Sequence, residues 1–377
     1  MTIGVVLGVL LLVGILWDTF ETIVLPRTVT RKWRFTLLFF RVFWGVWQRL
    51  IAPVRKPGTR ETFLSAFGPL SLLLLLAAWA LCLILGFALI AWGMGSHTFA
   101  DHSPPGFMTD LYMSGTTFFT LGYGDVVPVS PVGRGLAVFE AGVGFGFLAI
   151  VIGYLPVLYQ AFSRREVGIS MMDARAGSPP TPSEMLRRHA EAGVMTALTG
   201  QLHDWEAWAS DMMESTLSYP VLAYYRSQHD RESWLSSLIT ILDTCAMIRV
   251  CLNSRGDAEA DWHKSLRWQA NLTFAMARHA AVDIALILRC PPKRCPQDRL
   301  PLADLQRIEE LMRPHGIALC TDPDDDERLR RIRDEYEPYV FAMAERLMLT
   351  IPSWLPVKDG RGDNWQRSAW DQHDHFA

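Results

Sequence analysis

The sequence predicts an all-α membrane protein. Three transmembrane helices are expected, with an interfacial helix after the first, a short re-entrant helix between the second and third, and an all-α cytoplasmic domain behind them. Three observations carry this reading. Half of the 377 residues are hydrophobic, and the long apolar runs all lie before Ser163. No Lys or Arg occurs between Arg60 and Arg134. After Ser163 charges of both signs are thick and mixed, so the boundary between lipid and water is expected there.

A hydrocarbon core of about 30 Å needs roughly 20 apolar residues as helix, and Ile3–Leu25, Pro69–Met94 and Gly133–Phe162 meet that length. The first has no positive residue before it and no small-residue cleavage site after it, so it is expected to be a retained span rather than a signal peptide. Arg27, Arg31, Lys32, Arg34, Arg41, Arg49, Arg55, Lys56 and Arg60 all lie between the first two spans. Cytoplasmic loops keep the positive excess, so this loop is expected inside and the N-terminus outside, in the cell inner (plasma) membrane. Arg164 and Arg165 then close the third span on the inner side.

Within that loop, residues 33–52 are rich in Trp, Phe and Leu, while Arg34, Arg41 and Gln48 recur every seventh position. Such a stripe fits an amphipathic helix in the inner interface, with a fourth span as the alternative. The expected units are residues 1–60 for the first span and interfacial helix, 61–163 for the pair of spans with the re-entrant segment, 164–182 for a linker, and 183–377 for the cytoplasmic domain.

Between the second and third spans lies FMTDLYMSGTTFFTLGYGDVVP, residues 107–128. It divides into a short helical run to Phe119 and then TLGYGD, Thr120–Asp125. A potassium ion entering a narrow passage sheds its water, and rings of backbone carbonyls replace that water. Aiming successive carbonyls the same way requires ordinary and left-handed dihedrals to alternate, which Gly122 and Gly124 allow without a Cβ penalty. Leu121 and Tyr123 then point outward into supporting packing, and the Thr120 hydroxyl adds an inner ring of oxygens. The preceding helix turns its partially negative C-terminal end toward the cation.

These residues resemble the potassium channel superfamily, specifically bacterial channels with one pore loop between two pore-forming helices. TLGYGD fits the family signature Thr-x-Gly-Tyr-Gly-Asp, and the resemblance covers about Pro69–Phe162. It implies that Thr120, Leu121, Gly122 and Tyr123 give the ion-coordinating carbonyls, with potassium as permeant ion and no cofactor. It implies that Asp125 anchors the filter from behind with Tyr112 as hydrogen-bond partner. Leu121 stands where Val or Ile is commoner, and Thr116 where some relatives carry a carboxylate, so filter inactivation is the property these departures put in question. One chain supplies one loop and a ring needs four, so a homotetramer embedded in the bilayer is implied.

In the third span glycines fall at 142, 144, 146 and 153, with Pro156 beyond them. Gly142, Gly144, Gly146 and Pro156 are the expected sites of a gating bend, Gly144 first by resemblance. The alternative is that the small residues serve close helix packing. Glu140, an ionisable group in a membrane helix, is expected to pack behind the filter rather than line the cavity.

The remainder reads as helices over Ser183–Thr216, Val221–Gln228, Ser233–Leu252, Glu259–Leu288, Ala303–Met312 and Asp325–Leu349. No Gly-x-Gly-x-x-Gly fingerprint follows Ser163, which argues against a dinucleotide-binding regulatory domain. A ligand of this domain is expected only as an unnamed one, and the near-neutral balance of −3 does not call for nucleic acid. Asp243, His279 and Asp283 interrupt apolar runs, where they either form a sensing pocket or make satisfied buried hydrogen bonds. Three alternatives to a potassium channel remain: a non-selective cation channel, a metal-dependent phosphohydrolase built on His189, His203–Asp204 and Asp261 or Asp283, and a structural or receptor role with a silent pore.

Overall fold

A computed structural model describes residues 2–25, 34–95, 98–100, 106–228, 231–253, 261–319 and 323–356. They form two compact units, 1–160 and 161–377. Residue 60, where a boundary was expected, lies within the helix Pro57–Gly93.

In the first unit, α1 (Thr2–Thr19) continues as a π-turn through Phe20–Val24, and α3 (Pro57–Gly93) lies against it. Two glycines allow the approach. A β-carbon on Gly8 would come within 2.6 Å of the Gly86 carbonyl, and one on Gly86 within 2.7 Å of Leu12. Small residues let helix backbones meet where lipid offers no hydrophobic drive. Below this seam Asp18, buried, accepts from the Trp79 indole at 3.0 Å and from the backbone N–H of Thr36 at 3.2 Å. Arg34 reaches Glu21 at 3.4 Å. An acid on α1 is thus satisfied from two other helices, α2 and α3.

α2 (Phe35–Ile51) covers the stretch expected to be an amphipathic helix, and it packs on α3. Its first turn meets Trp79 through Asp18, its middle packs Phe43 and Trp44 on Phe67, and Trp47 donates to the Phe63 carbonyl. It therefore runs back along α3. The buried Phe67 ring takes the Phe43, Trp44 and Trp47 side chains, while Leu38, Val42, Val46 and Leu50 form an exposed apolar face on the other side. Arg27, Arg31, Lys32 and Trp33 of the basic loop lie outside the described residues.

α4 (Phe107–Phe118) is the short helix before TLGYGD, and a two-stranded ribbon pairs β1 (Thr98–Ala100) with β2 (Val126–Pro128). α5 (Pro131–Ala176) runs unbroken past Pro156 and past the expected linker start at 164. At 1.5 Å per residue it is about 70 Å long, far more than a bilayer core requires. Arg164 and Arg165 lie inside the helix rather than at its end. Among the described residues three helices are long and apolar enough to cross a membrane: Thr2–Val24, Gly58–Gly93 and Pro131–Ala176.

In the second unit the final turns of α5 pack on α7 (Ala197–Ser218). The Trp208 indole donates to the Arg165 carbonyl at 3.0 Å, and its ring fills the space a β-carbon on Gly168 would need. Arg165, buried, donates to the carbonyls of Leu222 and Tyr225 at 2.7 and 2.9 Å.

The expected helix over Ser183–Thr216 is two. α6 (Pro182–Glu191) ends where Gly193 takes φ +68, and α7 begins at Ala197. Val221–Gln228 shrinks to one 3-10 turn, Pro220–Tyr224. α8 (Trp234–Val250), capped by Ser233, is buried on almost every face. Around it stand α9 (Asp261–Ile287), α11 (Pro323–Asp334) and α12 (Glu337–Leu347), while α10 (Leu302–Met312) packs on α6 and a ribbon pairs β3 (Leu252–Asn253) with β4 (Ala318–Leu319). α11 and α12 were expected as one helix. Pro338 separates them, since its ring excludes the carbonyl four residues back, at Asp334.

Candidate functional site

The segment after α4 has an alternating backbone. φ is positive at Thr120 (55), Gly122 (58) and Gly124 (80), and not at Leu121 or Tyr123. At the two glycines the left-handed conformation carries no Cβ penalty. Thr120 also adopts the left-handed region, which the sequence did not signal because a β-branched residue there is strained. The strain is offset locally: Thr120 N–H donates to the Thr117 carbonyl at 3.0 Å, and the Thr116 carbonyl receives Leu121 N–H at 2.8 Å. The Thr116 hydroxyl turns back to the Met113 carbonyl rather than toward Asp125.

Asp125 is held by Tyr112, whose hydroxyl donates to it at 2.9 Å across the loop. Its second oxygen accepts from Val126 N–H at 3.1 Å. The end of TLGYGD is thereby tied to the middle of α4. Leu121 and Tyr123 stand 55% and 70% exposed in the single chain.

Behind α4, Ser114 contacts both the Ile84 carbonyl of α3, at 2.8 Å, and the Glu140 carboxyl of α5. Glu140 is buried between the helices and does not face the alternating loop directly. Of the four residues named for a bend, Gly144 has a specific neighbour. A β-carbon there would overlap the Phe118 carbonyl at the end of α4. At Gly142 and Gly146 a β-carbon would meet nothing within 4 Å, and Pro156 lies within continuous helix. The Gly144 contact left no mark in the sequence beyond the glycine itself.

In the second unit the polar residues do not converge. Asp243 is fully buried and satisfied: Arg299 donates to it at 2.8 Å and the Tyr336 hydroxyl donates to its other oxygen. Burial pushes the Tyr336 hydroxyl well above its usual range. His279 and Asp283 pair at 3.2 Å on an exposed face of α9, apart from Asp243. His189 sits buried with its Nδ1 2.8 Å from the Met185 carbonyl, while His203 and Asp204 are exposed on α7. No group of three or more His, Cys, Asp or Glu able to hold a metal occurs among the described residues, and the Asp261 side chain lies outside them.

The comparisons address the same stretch. Residues 74–160 match the family model described as "Ion channel". Over 87 residues the chain is 37% identical to Protein LctB of Bacillus caldotenax, a match covering 20% of this chain and 64% of that protein. The chain therefore spans less than two thirds of the length of this curated relative. No solved structure matches. Together the three apolar helices and the matched stretch make this a membrane protein with an ion channel domain.

Proposed function

We propose that the chain is one subunit of a homotetrameric potassium-selective channel, with α4 as a re-entrant pore helix and Thr120–Asp125 as its filter. The observation that carries this reading is the alternation of backbone hand at Thr120, Gly122 and Gly124 directly after a helix C-terminus. Four such loops around one axis give stacked rings of carbonyls from Thr120, Leu121, Gly122 and Tyr123. Each ring replaces part of the water a potassium ion leaves behind, and the pore-helix C-termini add negative potential. α4 holds 12 residues, about 18 Å of helix, too short to cross alone and long enough to carry the loop to mid-depth.

Assembly is supported by what one chain leaves uncovered. Phe145 and Ile152 of α5 are each 71% exposed, and with Leu121 and Tyr123 they offer apolar surface for neighbouring copies. The N-terminus is assigned to the outside and the second unit to the cytoplasm of the inner membrane, from Arg34, Arg41, Arg49, Arg55, Lys56 and Arg60 between α1 and the apolar part of α3. The second unit acts on the pore through α5, and a ligand for it is part of this proposal without a named chemistry.

Proteoliposomes loaded with potassium test the reading. Purified protein should release potassium down its gradient and retain sodium, and Gly122→Ala, strained at φ +58, should abolish release. Equal release of both ions would replace potassium selectivity with non-selective cation passage. Absence of any release from protein of verified fold would reject the channel.

A further inference from the structure

Three helices of the first unit meet at one hydroxyl. Ser114 of α4 is 1% exposed, and its Oγ lies 2.8 Å from the Ile84 carbonyl oxygen of α3. The same Oγ is in short hydrogen-bond contact with the Glu140 carboxyl of α5, itself 2% exposed. A serine hydroxyl carries one proton and cannot donate to both oxygens. The Ile84 carbonyl has no proton to give. Two oxygens held at 2.8 Å with none between them repel, so the Ser114 proton belongs on the Ile84 side. The contact between Ser114 and Glu140 then requires its proton from the carboxyl.

We propose that Glu140 is held as the neutral acid and donates to Ser114, which donates to Ile84, a one-way relay tying α5, α4 and α3 together. Glu140 is thus a positioning residue, acting on the loop through the helix that carries it.

The surroundings point the same way. Glu140 and Ser114 line a cavity of about 30 Å³ behind α4. α3 contributes Phe87 and Ala91 to it, with Met94 just past its end, and β2 and the turn after it contribute Pro128 and Ser130. Of its twelve lining residues, Asp110 of α4 is the other titratable one, and no Lys, Arg or His is among them. An ionised Glu140 would face apolar walls and a second carboxyl, with no cation among the described lining residues to balance it. A neutral acid faces them with its proton already placed.

The consequence for conduction rests on the pore reading above, while the proton can be observed without any flux. In full-length protein reconstituted in lipid, infrared spectra at neutral pH should contain a protonated-carboxyl stretch that Glu140→Gln removes, Ser114→Ala shifts and Asp110→Asn leaves in place. Potassium flux should survive in Glu140→Gln, whose amide N–H also donates to Ser114. It should fall about tenfold or more in Glu140→Ala, the size expected when a buried group loses its partner. Identical wild-type and Glu140→Gln spectra in that region would overturn the proposal. So would a Glu140→Gln channel as impaired as Glu140→Ala. If wild-type protein carries no potassium, the channel reading fails, and the spectra still decide the relay.

Discussion

Gly144 of α5 lies flat against the backbone carbonyl of Phe118, the last residue of the helix that carries TLGYGD. The closeness sets how near the two helices stand, and hence where the loop begins. A β-carbon at this place has nowhere to go, because its neighbour is main chain rather than a movable side chain. Gly144→Ala should lower stability by about 1–3 kcal/mol, the usual range for overpacking, with loss of flux. Gly142→Ala and Gly146→Ala, where a β-carbon meets nothing within 4 Å of the same chain, should unfold closer to wild type. Thermal melts in detergent decide between packing and hinge roles: a Gly144→Ala protein of wild-type stability with altered opening would favour the hinge.

The joint between α5 and α7 gives a second prediction. Gly168 leaves room for the Trp208 ring, whose N–H anchors on the Arg165 carbonyl. Gly168→Leu must push the ring away and Trp208→Phe must lose the anchor. Either change should alter open probability in single-channel records while ion preference stays fixed, because the loop is untouched. Deleting residues 177–377 should alter it as well. Unchanged opening in all three would leave the second unit without a role in gating.

Arg299 is the hub of the second unit's polar core. It donates to Asp243 at 2.8 Å, to Glu337 at 2.8 Å and to the Pro352 carbonyl at 3.1 Å. Removing it by Arg299→Ala strands a fully buried carboxylate, which typically costs about 3–5 kcal/mol. Denaturant melts should register that loss. Arg299→Ala combined with Asp243→Asn should recover part of it, since the second change removes the stranded charge, and an additive loss would contradict the pairing.

Acid should destabilise the second unit through His189. Burial, and secondarily the charge of Arg175, holds its imidazole below the ordinary pKa of about 6.5. In the unfolded chain the ring takes a proton as pH falls through that ordinary value, whereas the folded ring resists. Stability is therefore unaffected by His189 well above the ordinary value and declines below it. Melting temperatures at about pH 7.5 and about pH 5.5, on either side of the ordinary value, should diverge less in His189→Gln than in wild type. An unchanged slope in the variant would assign the acid sensitivity elsewhere.

Legibility in the sequence followed the kind of physics involved. The three spans were readable because a run without Lys or Arg is a one-dimensional signal, and α1, α3 and α5 contain them. The left-handed backbone at Gly122 and Gly124 was readable because only glycine adopts it freely, while Thr120 was missed for the same reason. The course of α2 was not readable. Arg34, Arg41 and Gln48 fix which face of that helix is polar but not its tilt, which the Phe67 and Trp79 contacts decide. The length of α5 was misjudged because the charges at Arg164 and Arg165 do not report where hydrogen bonding along the helix stops. Gly144 illustrates the remaining limit. A glycine in a helix reads as flexibility, and its packing role appears only once Phe118 is beside it.

The most direct measurement is the reversal potential of purified channels in a planar bilayer with potassium on one side and sodium on the other. Carbonyl rings at Thr120–Tyr123 predict a reversal potential close to the potassium equilibrium value, lost in Gly122→Ala. A reversal potential near zero, with currents carried equally by both ions, would contradict the potassium-selective filter.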